Sequence, residues 1–140
     1  MKFFWDTSAA INAIISPAVK GRLNADEHVA RQHLLLEFFS TMTGRGVQYK
    51  DAEGGPVLLS LDPDNAAKWL RDFAGRVALV ELDKAETLAA LDKAQAKSVQ
   101  GARVYDYLHA LAADKAGADV VLTRNRDHFE GLTRARVEWP

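Results

Sequence analysis

Short, continuous apolar runs alternate along this chain with longer segments of helical periodicity, and this alternation limits the possible folds more than any other feature. Lys2–Trp5 (KFFW), Val77–Leu82 (VALVEL) and Asp119–Thr123 (DVVLT) read as strands, with a last short one at Val137–Trp139. A strand without polar alternation is predicted to be buried on both faces. Thr7 and Ser8 are good helix starters ahead of AAINAIIS, and Pro17–Arg22 is a break. Asn24 or Asp26 is placed to cap a helix running to about Thr43, with Leu34, Leu35, Phe38, Phe39 and Met42 apolar and Gly44 and Gly46 ending it. Further helices are predicted from Asp62 or Asp64 through Phe73, over Lys84–Lys97, and over Val104–Ala116, the last stopped at Gly117. Val47–Leu61 reads either as a β-hairpin around KDAEGG or as an irregular excursion. The predicted fold is α/β: one domain over residues 1–140, with a central, mostly parallel twisted sheet and helices on both faces.

Such sheets bind ligands beyond the carboxyl ends of their strands. Asp6 directly follows the first strand, and Thr123 and Asn125 lie at the end of DVVLT and just past it. Two more acids stand among apolar helical residues, Glu37 in HLLLEFFSTM and Asp106 in RVYDYLHALAADK. A carboxylate in apolar surroundings is costly to bury unless it is paired or binds a cation. Each acid also has a plainer role when taken alone. Asp6 fits a helix N-cap, Glu37 an i,i+4 pair with His33, Asp106 a favourable first-turn acid, and Asp127 a solvated loop. Their joint arrangement points instead to one shared cation and to metal-dependent hydrolysis of phosphodiesters.

Composition narrows the chemistry. There is no cysteine among the 140 residues, which excludes disulfides, thiolate zinc sites and cysteine nucleophiles. Carboxylates suit Mg²⁺ or Mn²⁺, and the four histidines, His28, His33, His109 and His128, show no ligand spacing; both points argue against zinc. The histidines are expected at the surface or core edge, and Trp5, Trp69 and Trp139 in the core. The net charge of −1 is less basic than usual for a nucleic-acid binder. Bound divalent ions would reverse the sign locally. Arg124, Arg126, Arg134 and Arg136 cluster near the C-terminus, where they fit either a solvated face or phosphate contacts. No apolar run approaches the roughly 20 residues of a membrane helix. The N-terminus lacks the basic and apolar stretches of a secretion signal, so no membrane partner and a cytoplasmic location are expected.

Four pieces, DTS at Asp6, LLLEFFSTMTG around Glu37, GARVYDYLHALAADKAGADVVLT around Asp106 and TRNRDHF, together resemble the PIN-domain ribonucleases, and within them the VapC-type toxins of toxin–antitoxin pairs. They extend from Lys2 to Phe129, nearly the whole chain. The resemblance implies a PIN-like three-layer α/β sandwich whose acidic cleft binds Mg²⁺ or Mn²⁺ and hydrolyses RNA. It also implies a cognate antitoxin partner and a homodimer. Carried onto this chain, the acids are Asp6, Glu37 and Asp106, with Asp6 and Asp106 ligating metal directly and Glu37 holding a second ion or orienting water. The fourth position is Asn125 where an aspartate is usual, and either Asn125 or Asp127 completes the site. Thr7, Ser8 and Thr123 are candidates to orient carboxylates or water, and Arg124 and Arg126 to contact the RNA backbone. The stretch Gly44–Leu61 is longer than the family pattern and would serve as a dimer contact, an antitoxin contact or a flap.

Two other functions compete. A non-catalytic nucleic-acid or protein-binding module draws support from Asn125 alone. A phosphatase or receiver-like domain would place a second acid close to Asp6, where this chain has Thr7, Ser8 and alanines.

Overall fold

The computed structural model describes residues 1–140. Strand β1 (Lys2–Trp5) leads into helix α1 (Thr7–Ile15), followed by the short α2 (Pro17–Gly21) and a 3₁₀ turn, Arg22–Asn24. Strand β2 (Glu27–Ala30), helix α3 (Gln32–Thr43), the strands β3 (Val47–Lys50) and β4 (Pro56–Leu59), and helix α4 (Pro63–Ala74) come next. The second half runs β5 (Ala78–Leu79), α5 (Lys84–Asp92), α6 (Arg103–Lys115), β6 (Val120–Leu122), α7 (Arg126–Phe129) and β7 (Arg136–Glu138). The main sheet has the order β5-β2-β1-β6-β7, and every pairing in it is parallel. The hairpin β3–β4 is a separate antiparallel pair.

Side chains alternate across β1, because successive residues of a strand point to opposite faces. Phe3 and Trp5 join the larger core with α1, α3 and Phe73 of α4, while Phe4 packs on the other face with α6 and Phe129. The sheet is thus the middle of three layers. Phe4, Trp5, Phe38 and Phe129 are all fully buried. Each contributes about 1.5–3 kcal/mol by leaving water.

Four of the expectations above are corrected. The helix expected from Asn24 does not start there, because Glu27–Ala30 is a strand. His28, Val29 and Ala30 are buried between β1 and β5, and the pairing on both sides overrides a helix-compatible sequence. Asp26 adopts φ +68° at the turn into it, a conformation no helix residue takes. The strand expected over Val77–Leu82 pairs only at Ala78–Leu79, and both residues are exposed. It is an edge strand, and short edges limit unwanted pairing. The helix over Lys84–Lys97 is regular only to Asp92, then continues as turns to Ser98 at φ +56°. The break expected at Pro17–Arg22 contains α2, whose Pro17 is at a first-turn position and whose Ser16 side chain accepts from the Val19 amide. Of the two readings of Val47–Leu61, the hairpin is the one that forms, with a tight turn at Asp51–Gly55.

Candidate active site

Asp6 ends β1 at the carboxyl edge of the sheet. It occupies the N-cap position of α1 but makes no capping bond with its side chain. Its Oδ2 instead accepts hydrogen bonds from Ser8 Oγ and from Thr123 Oγ1, both at 2.9 Å. Those two hydroxyls are themselves fixed. Ser8 Oγ accepts from the Arg124 amide at 2.9 Å, and Thr123 Oγ1 from the Asn125 amide at 3.0 Å. The start of α1 and the loop after β6 are therefore bolted together through one carboxylate oxygen. Asp6 is only 5% exposed, and burial holds its carboxyl above the ordinary value of 3.8, against the lowering effect of the Ser8 and Thr123 bonds.

Asp106 stands in the first turn of α6 and is half-buried. Its Oδ2 lies 2.9 Å from His128 Nδ1 on α7. Its carboxyl is also raised above 3.8, first by burial and then by the negative charge of Asp6, with Glu37 adding a smaller push. Glu37, on α3, meets His33 Nε2 at 3.1 Å across one helical turn, the pairing its spacing suggested.

Asp6, Glu37, Asp106 and Asn125 line one cleft of about 210 Å³ together with Arg45 and Arg124. Thr7 and Ser8 also line it. A wider groove of about 600 Å³ opens from the same place, sharing Glu37, Asp106 and Asn125 and adding His33, Tyr105 and His128. Thr123 is buried beneath the cleft as the Asp6 donor. Asp127 and Arg126 lie on α7, exposed and outside both linings, with Arg126 paired to Glu130 at 3.2 Å. Arg124 extends from the cleft over the Trp139 ring, 5.1 Å from its centroid. Trp139 is 52% exposed, so this tryptophan is not core; Trp5 is.

Two residues at the site were not anticipated. Arg45 sits in the turn between α3 and β3, a stretch whose glycines signalled only the end of a helix. His109 is 1% exposed, and His28 is 5% exposed, so neither is at the core edge. His28 is a satisfied core residue, accepting from Trp5 Nε1 at 3.1 Å and bonding the Ala25 carbonyl. His109 is not. Its Nε2 has no hydrogen-bond partner and lies 4.0 Å from Asp6 Oδ1, with Arg31 at 3.5 Å from its Nδ1. Burial, then the charges of Arg31 and His33, push its pKa down to about 3, so the ring is neutral. His33 and His109, which show no ligand spacing in the sequence, lie with ring centroids 5.5 Å apart. The spacing of Asp106 and His109, one helical turn, was the available signal.

The donor set fits a hard divalent cation. Asp6, Glu37, Asp106 and the Asn125 amide offer oxygen, and no arginine or lysine forms an ion pair with these acids. Burial raises both the Asp6 and the Asp106 carboxyls, and the nearby Asp6 charge raises that of Asp106 further.

No protein-family model matches the sequence, and no curated protein matches it. Solved structures do. A chain of VapBC2 from Rickettsia felis, solved bound to a DNA fragment from their promoter, superposes with a TM-score of 0.68 at 13% identity, covering 100% of this chain and 99% of that one. A chain of VapBC-1 from nontypeable Haemophilus influenzae gives a TM-score of 0.66 at 14% identity, over 99% of this chain and 98% of that one. The likeness runs end to end. The five-stranded parallel sheet between helical layers is the PIN-like fold.

Proposed function

We propose that this chain is a metal-dependent endoribonuclease of the VapC type, the toxin of a toxin–antitoxin pair. The observation that carries the reading is the convergence of Asp6, Glu37, Asp106 and Asn125, from four separate parts of the chain, on one cleft at the carboxyl edge of a parallel sheet. The likeness to chains of VapBC complexes supports it.

Asp6, Asp106 and Glu37 would hold Mg²⁺ or Mn²⁺, which when bound neutralises phosphate charge and makes water a better nucleophile. Ser8 and Thr123 hold Asp6 in one orientation through its Oδ2. Asn125 provides the fourth oxygen in the cleft, in preference to Asp127, which lies outside it. Arg45 and Arg124 flank the acids and contact phosphate oxygens of the RNA. Hydrolysis leaves a 5′-phosphate and a 3′-hydroxyl. A cognate antitoxin covers the cleft in the silent state, and the exposed Leu36, Phe39 and Leu58 offer apolar surface for it or for a second copy of the toxin in a homodimer. The complex belongs in the cytoplasm, where its RNA is.

The test is cleavage of bulk RNA by the purified chain with Mg²⁺ or Mn²⁺, alongside Asp6→Asn and Asp106→Asn. The expected result is metal-dependent cleavage with 5′-phosphate ends, reduced about 10²-fold or more in either variant, the scale of one essential group. Equal cleavage by the variants would remove these residues from the mechanism. No cleavage by any of them, together with retained RNA binding, would make the chain a binding module.

A further inference from the structure

His33 and Glu37, one turn apart on α3, are joined by His109, which no spacing in the sequence links to them. One ligand atom from each lies within 4.8 Å of the other two. His33 and Glu37 share a face of α3, with Nε2 and Oε2 3.1 Å apart. His109 comes from α6, against that face. From these positions we propose that the three side chains form a second metal site, for a borderline divalent ion such as Zn²⁺, distinct from the oxygen-only cleft and sharing Glu37 with it.

Four observations support it. First, two imidazoles and one carboxylate are the donor set that zinc takes when it leaves a fourth position open. Such a set favours Zn²⁺ over Mg²⁺, which prefers oxygen throughout. Second, His109 is 1% exposed and its Nε2 makes no hydrogen bond. A buried ring nitrogen without a partner is costly, and a bound ion removes that cost. Third, the rings are already held. His33 stacks on Tyr105 at 4.7 Å and 9°, and His109 packs on Phe4 at 5.8 Å. Ligands of a tetrahedral zinc stand about 3.3 Å apart, so small side-chain rotations close the set. Fourth, His33 and Glu37 also line the 600 Å³ groove, which gives an ion a path in and leaves its open position facing solvent. Arg31 is the one opposing charge. Its Nη1 is 3.5 Å from His109 Nδ1, a weak contact, while its Nε is paired with Glu81 at 3.2 Å. Loading Nε2 moves the ring proton to Nδ1 and leaves Arg31 on Glu81.

Zn²⁺ at this site draws Glu37 away from the oxygen cleft and so opposes Mg²⁺ there. That consequence rests on the nuclease reading, whereas the site itself does not.

The experiment titrates the untagged, chelator-stripped chain with Co²⁺, read by its visible absorption, and then displaces the Co²⁺ with Zn²⁺. His33→Gln, His109→Gln and Asp106→Asn are compared with the parent. The expected result is an intense four-coordinate Co²⁺ band in the parent, displaced by Zn²⁺ and retained in Asp106→Asn. Both histidine variants should lose more than the roughly 100-fold in affinity that an outer-shell partner can cost. If the buried His109→Gln variant unfolds, the half-exposed His33→Gln decides. Absence of binding in the parent, or unchanged affinity in His33→Gln, overturns the proposal. So does a loss confined to Asp106→Asn, which would put the ion on the carboxylates. If RNA cleavage is absent from every protein while Co²⁺ binding follows the histidines, the nuclease reading fails and the metal site stands.

Discussion

At the scale of single residues, the cleft trades stability for charge. Asp6 and Asp106 both titrate above the ordinary 3.8 because folding buries them and, for Asp106, sets it near Asp6. Well below 3.8 both groups are protonated, folded or unfolded, and cost nothing. As pH rises toward their folded values, the unfolded chain ionises first, so the metal-free fold loses stability, and above those values the loss is complete. The double variant Asp6→Asn/Asp106→Asn should therefore be more stable than the metal-free parent at pH 7. The shift in melting temperature should be several degrees, what about 1 kcal/mol gives in a chain of this size. The gap should close as pH falls below 4 in thermal melts at stepped pH. Mg²⁺ should close it from the other side, by stabilising only the parent. A parent as stable as the variant at pH 7 would mean that the carboxylates are compensated in some other way.

At the scale of elements, the turn between α3 and β3 sets Arg45 on the cleft. Gly46 holds φ +70°, and a Cβ there would stand 2.6 Å from the Leu59 carbonyl oxygen. Gly46→Ala is expected to cost about 1–3 kcal/mol in urea denaturation, the scale of one strained backbone position. It should also weaken RNA binding by displacing Arg45, whereas Arg45→Ala should weaken binding at unchanged stability. On the other face of the sheet, Phe4 is fully buried among α6 and Phe129 and touches His109. Phe4→Ala should cost about 3–5 kcal/mol, and the urea midpoint should fall accordingly. That is a large part of the roughly 5–15 kcal/mol a domain has, and α6, which carries Asp106 and His109, should loosen with it. A loss below 1 kcal/mol would mean that the layer behind the sheet does not support the site.

At the scale of the whole molecule, a net charge of −1 gives no broad field to draw in nucleic acid. On the nuclease reading proposed above, RNA binding would then depend on the few cations at the cleft. With Arg45 and Arg124 each meeting one phosphate, the logarithm of affinity for single-stranded RNA should fall against that of salt with a slope of about −1.4. Fluorescence anisotropy across a salt series, with metal present, measures it; a slope several times steeper would place the RNA on another surface.

The sequence by itself determined the layered α/β architecture, because continuous apolar strands such as KFFW and DVVLT must be covered on both faces wherever they pair. It also determined which oxygen-bearing side chains end up at the carboxyl edge, since Asp6 follows directly on β1 and Asn125 comes just past the end of β6. Tertiary structure decided the rest. Glu27–Ala30 is a strand only because β1 and β5 supply partners on its two sides. Asp127 looked as suitable as Asn125, but the α7 turn carries it outside the cleft. Arg45 lines the cleft with the acids only through the turn between α3 and β3. His33 and His109 stand on different helices, and their meeting beside Glu37 depends on how α3 and α6 pack, a contact between distant residues that no local periodicity encodes.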